Sequence, residues 1–183
     1  MARRSIPLVL AGALAFMCAC SGGDDPVQGQ ASPSPAPPDS VSGKCPSMDQ
    51  IEGSPLSVFD YRSALVSIFD GVREGYSNQT FIPATEDPKS VADRFLKEQR
   101  ELIGLADHAS QIAPPTKFQS AHAQLIKGVC GLAQIEGKIA QAASSHGTPA
   151  ALHLEIQYED QGEDLPAAHD INAAEQAIYP PAG

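Results

Sequence analysis

The sequence predicts an all-α protein, an up-and-down helical bundle of three to four helices over residues 45–183, and three observations predict it. Between Val58 and Ile139 the large apolar residues recur at intervals of three and four, which places them on one stripe of a helix. Stretches rich in Pro and Gly, "FIPATEDP", "APP" and "SSHGTP", divide the periodic segments. The connections are short enough to make successive helices antiparallel neighbours.

The first helix is read from Pro55 to Tyr76, with Val58, Tyr61, Leu65, Ile68, Phe69, Val72 and Tyr76 as its stripe. Arg62, Ser63, Asp70 and Arg73 fall mostly elsewhere, and Gly75 with "SNQT" supplies the stop. A loop follows, in which Phe81 and Ile82 are expected to plug the core. Asp87 and Pro88 open the second helix as a capping residue and a first-turn proline. Val91, Phe95, Leu102, Ala106, Ala109 and Ala113 mark its face, flanked by Ile103 and Leu105, and Pro114 and Pro115 end it.

The third helix starts at Thr116 or its prolines, with Phe118, Ala121, Leu125, Val129, Leu132 and Ile139 as its stripe. Gly128, Gly131 and Gly137 lie inside it, each costing up to ~1 kcal/mol relative to alanine, so close approach of a neighbouring helix is expected there. After Gly147 and Pro149, "ALHLEIQYE" alternates apolar and polar residues, which is a strand period. No other segment offers a partner strand, and a lone strand is not stable. Its Leu, Glu, Gln and Ala favour helix, and helix is the expectation. A last short helix is read from Pro166 to just before Pro180.

The start of the chain speaks to address. Arg3 and Arg4 precede an uncharged apolar run from Ile6 to about Met17, the layout of a secretory signal. The run is too short to cross a ~30 Å hydrocarbon core as a helix. The tetrad Met17, Cys18, Ala19, Cys20 resembles the lipobox of bacterial lipoproteins, which implies cleavage after Ala19, giving a signal peptide over 1–19 and an acylated Cys20. Cys18 as acceptor would put Met17 beside the scissile bond and fits the pattern poorly; an ordinary secretory signal leaving a free Cys20 is the remaining alternative. With Ser21 rather than Asp after the acceptor, the resemblance implies an extracytoplasmic lipoprotein of the outer membrane or cell surface.

Residues 20–44 read as an acylated start and a spacer, "SGGDDPVQGQASPSPAPPDSVSG", made almost wholly of Pro, Ser, Gly, Ala and polar residues. Such a stretch cannot bury enough apolar surface to fold. Cys45 and Cys130 then remain, and in an oxidising compartment an isolated pair is read as one disulfide, with two separate thiols as the alternative. The "PP" turn followed by Phe118 and His122 resembles hairpins of helical-bundle lipoproteins without assigned activity. That resemblance covers only the two helices it joins and brings no site with it.

Composition and motif exclude several function classes. The chain has 22 acidic and 12 basic residues and a formal charge of −10, so phosphate backbones repel it and no nucleic acid partner is expected. No "GxSxG" elbow is present, and Cys130 is expected to be oxidised, so no catalytic residue is assigned. The five histidines form no i, i+4 pair, no Glu-x-x-His and no "CxxCH", which removes zincin, di-iron and c-type haem signatures, and no cofactor is expected.

Two weaker ligand sets stay open. His122, at the edge of the third helix's stripe, is read as a buried or half-buried histidine bonded to a carbonyl or carboxylate, with a ligand role as the alternative. Asp160, Glu163 and Asp164 gather around Gly162 in a stretch from 148 to 183 that holds no Lys or Arg, and could offer oxygens to a hard cation. A solvated acidic face is the plainer reading. The expected function is therefore a lipid-anchored, non-enzymatic binding or interaction module of the cell envelope, held at the membrane by its lipid and meeting an envelope partner. The alternative is a metal- or small-ligand-binding bundle using His122 and the acidic residues near the C-terminus.

Overall fold

The computed structural model describes residues 44–46, 53–77 and 81–181, the side chain of Glu163 excepted. Cys18, Cys20, the spacer up to Gly43, Met48 and Asn78 lie outside the described residues. What is described is an all-α bundle of four arms, and no strand is present among the described residues.

Helix α1, Val58–Ser77, starts on a local cap: the Ser57 hydroxyl donates to the Asp60 carboxylate at 2.6 Å, and the Asp60 N–H donates back to Ser57 Oγ at 3.2 Å. It buries Tyr61, Leu65, Ile68, Phe69 and Val72 of the stripe expected from the sequence, with Val58 half-buried and the side chain of Tyr76 outside the described residues. Helix α2, Pro88–Ser110, is capped by Asp87, whose carboxylate accepts from the Ser90 N–H at 3.0 Å. The two run antiparallel, with Leu56 N–H donating to the Ala113 carbonyl near one end and Gly71 admitting Leu105 further along.

The helix ends at Ser110, earlier than the prolines alone would place it. Gln111 to Pro115 instead form the turn, and Ile112, Ala113 and Pro114 are buried in it. Ile103 is buried on α2 where Leu102 was expected to lead, because Leu102 sits at the edge of the contact with α1 and α3. Phe81 is likewise more than half exposed, and Ile82 alone plugs the core.

A single 3-10 turn, Thr116–Phe118, leads into α3, Gln119–His146, the longest helix and the centre of the fold. Helices α2, α4 and α5 all pack on it, so it buries residues around most of its circumference, His122 and Glu136 among them. Gly147, at φ +84°, turns the chain in one residue, and α4, Thr148–Gln161, starts at once. Thr148 Oγ1 donates to the Glu86 carbonyl at 2.6 Å and ties this corner to the start of α2.

The ambiguous segment is therefore helix. Ala151 and Glu155, one turn apart, face the core, while Ile156 is 41% exposed. A helix that buries a glutamate and exposes an isoleucine carries no clean helical stripe, which explains its strand-like alternation. Gly162, at φ +49°, and a 3-10 turn over Gly162–Asp164 separate α4 from α5, Pro166–Ile178. Together α4 and α5 make one broken arm that returns antiparallel along α3.

That return depends on the glycines of α3. A Cβ on Gly128 would stand 2.6 Å from Ile171 Cγ1 and 2.8 Å from the Ala167 carbonyl oxygen, and one on Gly131 would stand 2.9 Å from Ala167 Cβ. The close approach expected at these glycines is the seat of α5. Two apolar clusters result: one joins α1, the lower parts of α2 and α3, and α5; the other joins Ile82, the start of α2, the end of α3, and α4.

Cys45 and Cys130 are bonded, with Cα atoms 5.9 Å apart, well inside the disulfide range. The bridge fastens the chain ahead of α1 to the middle of α3. Among the described residues no helix is long and apolar enough to cross a membrane.

Candidate functional site

At the end of the bundle that holds the α2–α3 turn, an aromatic cluster surrounds a fully buried polar pair. Tyr61 and His122 are both fully buried, and the Tyr61 hydroxyl lies 3.0 Å from His122 Nδ1 in a hydrogen bond between α1 and α3. His122 Nε2, also buried, closes no well-aligned hydrogen bond with a described residue. The stripe-edge position of His122 becomes full burial because Tyr61 covers it from α1; besides this hydroxyl the ring meets the Ala109 backbone carbonyl, the kind of partner expected from the sequence.

Burial holds the His122 ring below its ordinary pKa, an effect only partly offset by the Ala109 carbonyl beside it. The Tyr61 hydroxyl is pushed upward, chiefly by burial and then by Tyr179. Both groups are therefore neutral at neutral pH.

The cluster extends outward through Phe118, which stacks on Tyr61 at 5.5 Å between centroids. Arg62, half-buried on α1, sets its guanidinium carbon 5.7 Å from the centre of Phe118 and 5.9 Å from that of Tyr179. Lys117 Nζ lies 4.8 Å from the Phe118 centre. The Tyr179 hydroxyl donates to the backbone carbonyl of Arg62, and Phe69 meets the Tyr179 ring edge-on. Tyr179 reaches this place because α5 runs back toward the start of α3.

A second polar group lies at the opposite end. The Glu155 carboxylate, buried in α4, accepts the Ile82 N–H at 3.1 Å, and Arg94 pairs with Glu86 at 3.1 Å. Burial raises the pKa of Glu155, opposed chiefly by that N–H; burial also raises Glu98, opposed by Arg94 and by a hydrogen bond with Glu136. These carboxylates and Arg94 make an internal ion network.

The residues expected to share a ligand are not brought together. His122 is enclosed by Tyr61 on the aromatic side, whereas Asp160 and Asp164 are exposed at the break between α4 and α5. Among the described residues no three or more His, Cys, Asp or Glu side chains form a group able to hold a metal ion. A groove of about 360 Å³ lies beside the disulfide between α3 and α5, with Lys127 and Asp170 paired at 2.9 Å on its wall. Sequence reasoning missed Arg62 and Lys117 as site residues, because the ring they share, Phe118, and the second ring on Arg62, Tyr179, are both distant from Arg62 in the chain. The one local signal was the pair Lys117–Phe118 next to the turn.

No family model, no curated protein and no solved structure matches this chain.

The His122 environment has a measurable consequence. Its folded-state pKa lies below the ordinary ~6.5, so as pH falls through that value the unfolded chain binds a proton that the folded chain refuses, and stability drops. Glu155 and Glu98 act oppositely: with raised folded-state values they add stability as pH falls toward the ordinary glutamate range. Urea midpoints of wild type and His122→Gln, compared from pH 7.5 downward, isolate the histidine. The wild type is expected to lose stability relative to the variant below about pH 6.5; parallel curves would refute the buried neutral ring.

Proposed function

We propose that this protein is a lipid-anchored, extracytoplasmic helical bundle acting without catalysis, as a binding or interaction module of the cell envelope. The observation that supports it most is the Cys45–Cys130 bridge, since a structural disulfide in a small domain belongs to an oxidising compartment. The sequence supports the same address from the other end. Its apolar run, the Met17–Cys20 tetrad and the Pro/Ser spacer together describe a secreted chain acylated at Cys20 and held off a membrane surface.

The bundle's chemistry agrees with a binding role. Its enclosed histidine is paired with a tyrosine that stays protonated, its buried Glu155 carboxylate accepts a backbone N–H, and the half-buried Glu86 pairs with Arg94. Neither arrangement sets an activated nucleophile or a poised base in an open cleft.

Anchoring is tested by fractionation. With Cys20 acylated, the protein is expected in the membrane fraction and labelled by a fatty-acid analogue, and Cys20→Ala is expected to abolish the label. Persistence of Cys20→Ala in the membrane fraction would overturn the anchor.

A further inference from the structure

We propose that Arg62 and Lys117, set on the rings of Phe118 and Tyr179, form a binding site for an oxyanion, the carboxylate or phosphate group of a small ligand. The inference deepens the binding-module reading by naming the chemistry such a module would recognise, and it rests on the folded domain alone.

The charges around Arg62 single it out. Arg73 and Arg94, also half-buried, are each neutralised: Arg73 pairs with Asp70 and Glu175, and Arg94 pairs with Glu86. Arg62, in a chain with 22 acidic residues, pairs with no carboxylate among the described residues. Its Nε is buried and has no acceptor among the described residues. Lys117 has no carboxylate partner among the described residues either.

Two rings hold the guanidinium instead. Phe118 stacks on Tyr61, and the Tyr179 hydroxyl donates to the Arg62 carbonyl, so each ring beside the arginine is itself held by a second contact. Aromatic faces attract a cation without giving its N–H groups good acceptors. A guanidinium offers five N–H donors in a planar fork that matches carboxylate and phosphate oxygens. Here the fork is already positioned, so little side-chain entropy remains to be lost on binding.

Lys117 supplies a second positive charge on the same ring from an exposed position. A point charge beside a fixed fork favours an anion with several oxygens. It also draws that anion toward one end of a molecule whose overall charge repels it.

The test is titration of the purified full chain with sodium phosphate and with sodium acetate, each against sodium chloride at matched ionic strength, read by amide chemical shifts. Saturable shifts around residues 61–63 and 117–118, produced by phosphate or acetate and not by chloride, are expected. Whichever salt produces them identifies the group bound. Arg62→Lys keeps the charge but loses the fork and is expected to weaken binding about tenfold; Lys117→Gln, an exposed change that leaves the fold alone, is expected to weaken it about threefold. The proposal is overturned if neither salt gives saturable shifts, or if both variants bind as the wild type does. Fractionation of Cys20→Ala reads the anchor separately, so the two readings can fail independently.

Discussion

Replacing Cys45 and Cys130 together by serine is expected to lower the unfolding free energy by about 4 kcal/mol. The bridge closes a loop spanning 85 positions, and in the chain-entropy account a loop of that size removes about 4 to 5 kcal/mol of freedom from the unfolded chain. The bond ties the chain ahead of α1 to the central helix. Domains of this size are stable by only about 5–15 kcal/mol, so a loss of that order is a large fraction of the whole. Urea unfolding of the double variant, or of the wild type with and without reductant, measures it. A change below about 1 kcal/mol would mean that the unfolded chain is already compact around the bridge, or that the bond is absent in solution.

The second large effect is a pair of glycine substitutions with opposite signs. Gly128→Ala is expected to destabilise by about 1–3 kcal/mol, although alanine is the better helix former by up to ~1 kcal/mol. The added methyl meets Ile171 Cγ1 at 2.6 Å, the Ala167 carbonyl oxygen at 2.8 Å and the Ile171 nitrogen at 3.0 Å. Two of those three are backbone atoms, so α5 itself has to move. At Gly137 the methyl meets only the end of the Gln99 side chain, which can swing aside. Gly137→Ala is therefore expected to be neutral or to stabilise by up to ~1 kcal/mol through helix propensity. If both variants lost stability equally, the close seat of α5 on α3 would be wrong.

These glycines show how far the sequence reached. Their presence inside a long helical stripe signalled close approach, and at Gly128 and Gly131 close approach is what the fold contains. What they could not signal was the partner: α5 is distant in sequence and nothing local names it. Gly137 gave the same signal and faces a side chain only.

The element boundaries that were legible owed it to residues with one physical use. Asp87 with Pro88 opened α2, Gly147 closed α3, and Pro166 opened α5. The end of α2 was misplaced because Ile112 and Ala113 continue the apolar pattern while serving as turn residues, and burial alone does not make a residue helical. The α4 segment resisted reading for the reverse reason, since it buries Glu155 against a loop N–H and leaves Ile156 outside.

Of the candidate site, His122 was legible as a residue to watch and its surroundings were not. Its pairing with Tyr61 joins α1 to α3, and the clamp around Arg62 draws on α1, the turn before α3, and the residue after α5. Periodicity reports which face of a helix is covered; it does not report by what.

The bridge also divides the molecule in a way its helices do not. Residues 45 to 130 form a closed covalent ring that contains α1, α2 and the first half of α3, and everything after Cys130 hangs from it as an open tail. The tail folds back to lay α5 over Gly128 and Gly131, immediately beside the knot where the ring is tied. The bridge therefore fixes the chain ahead of α1 to α3 at the same level at which α5 is seated, so one short stretch of the central helix holds both ends of the domain together.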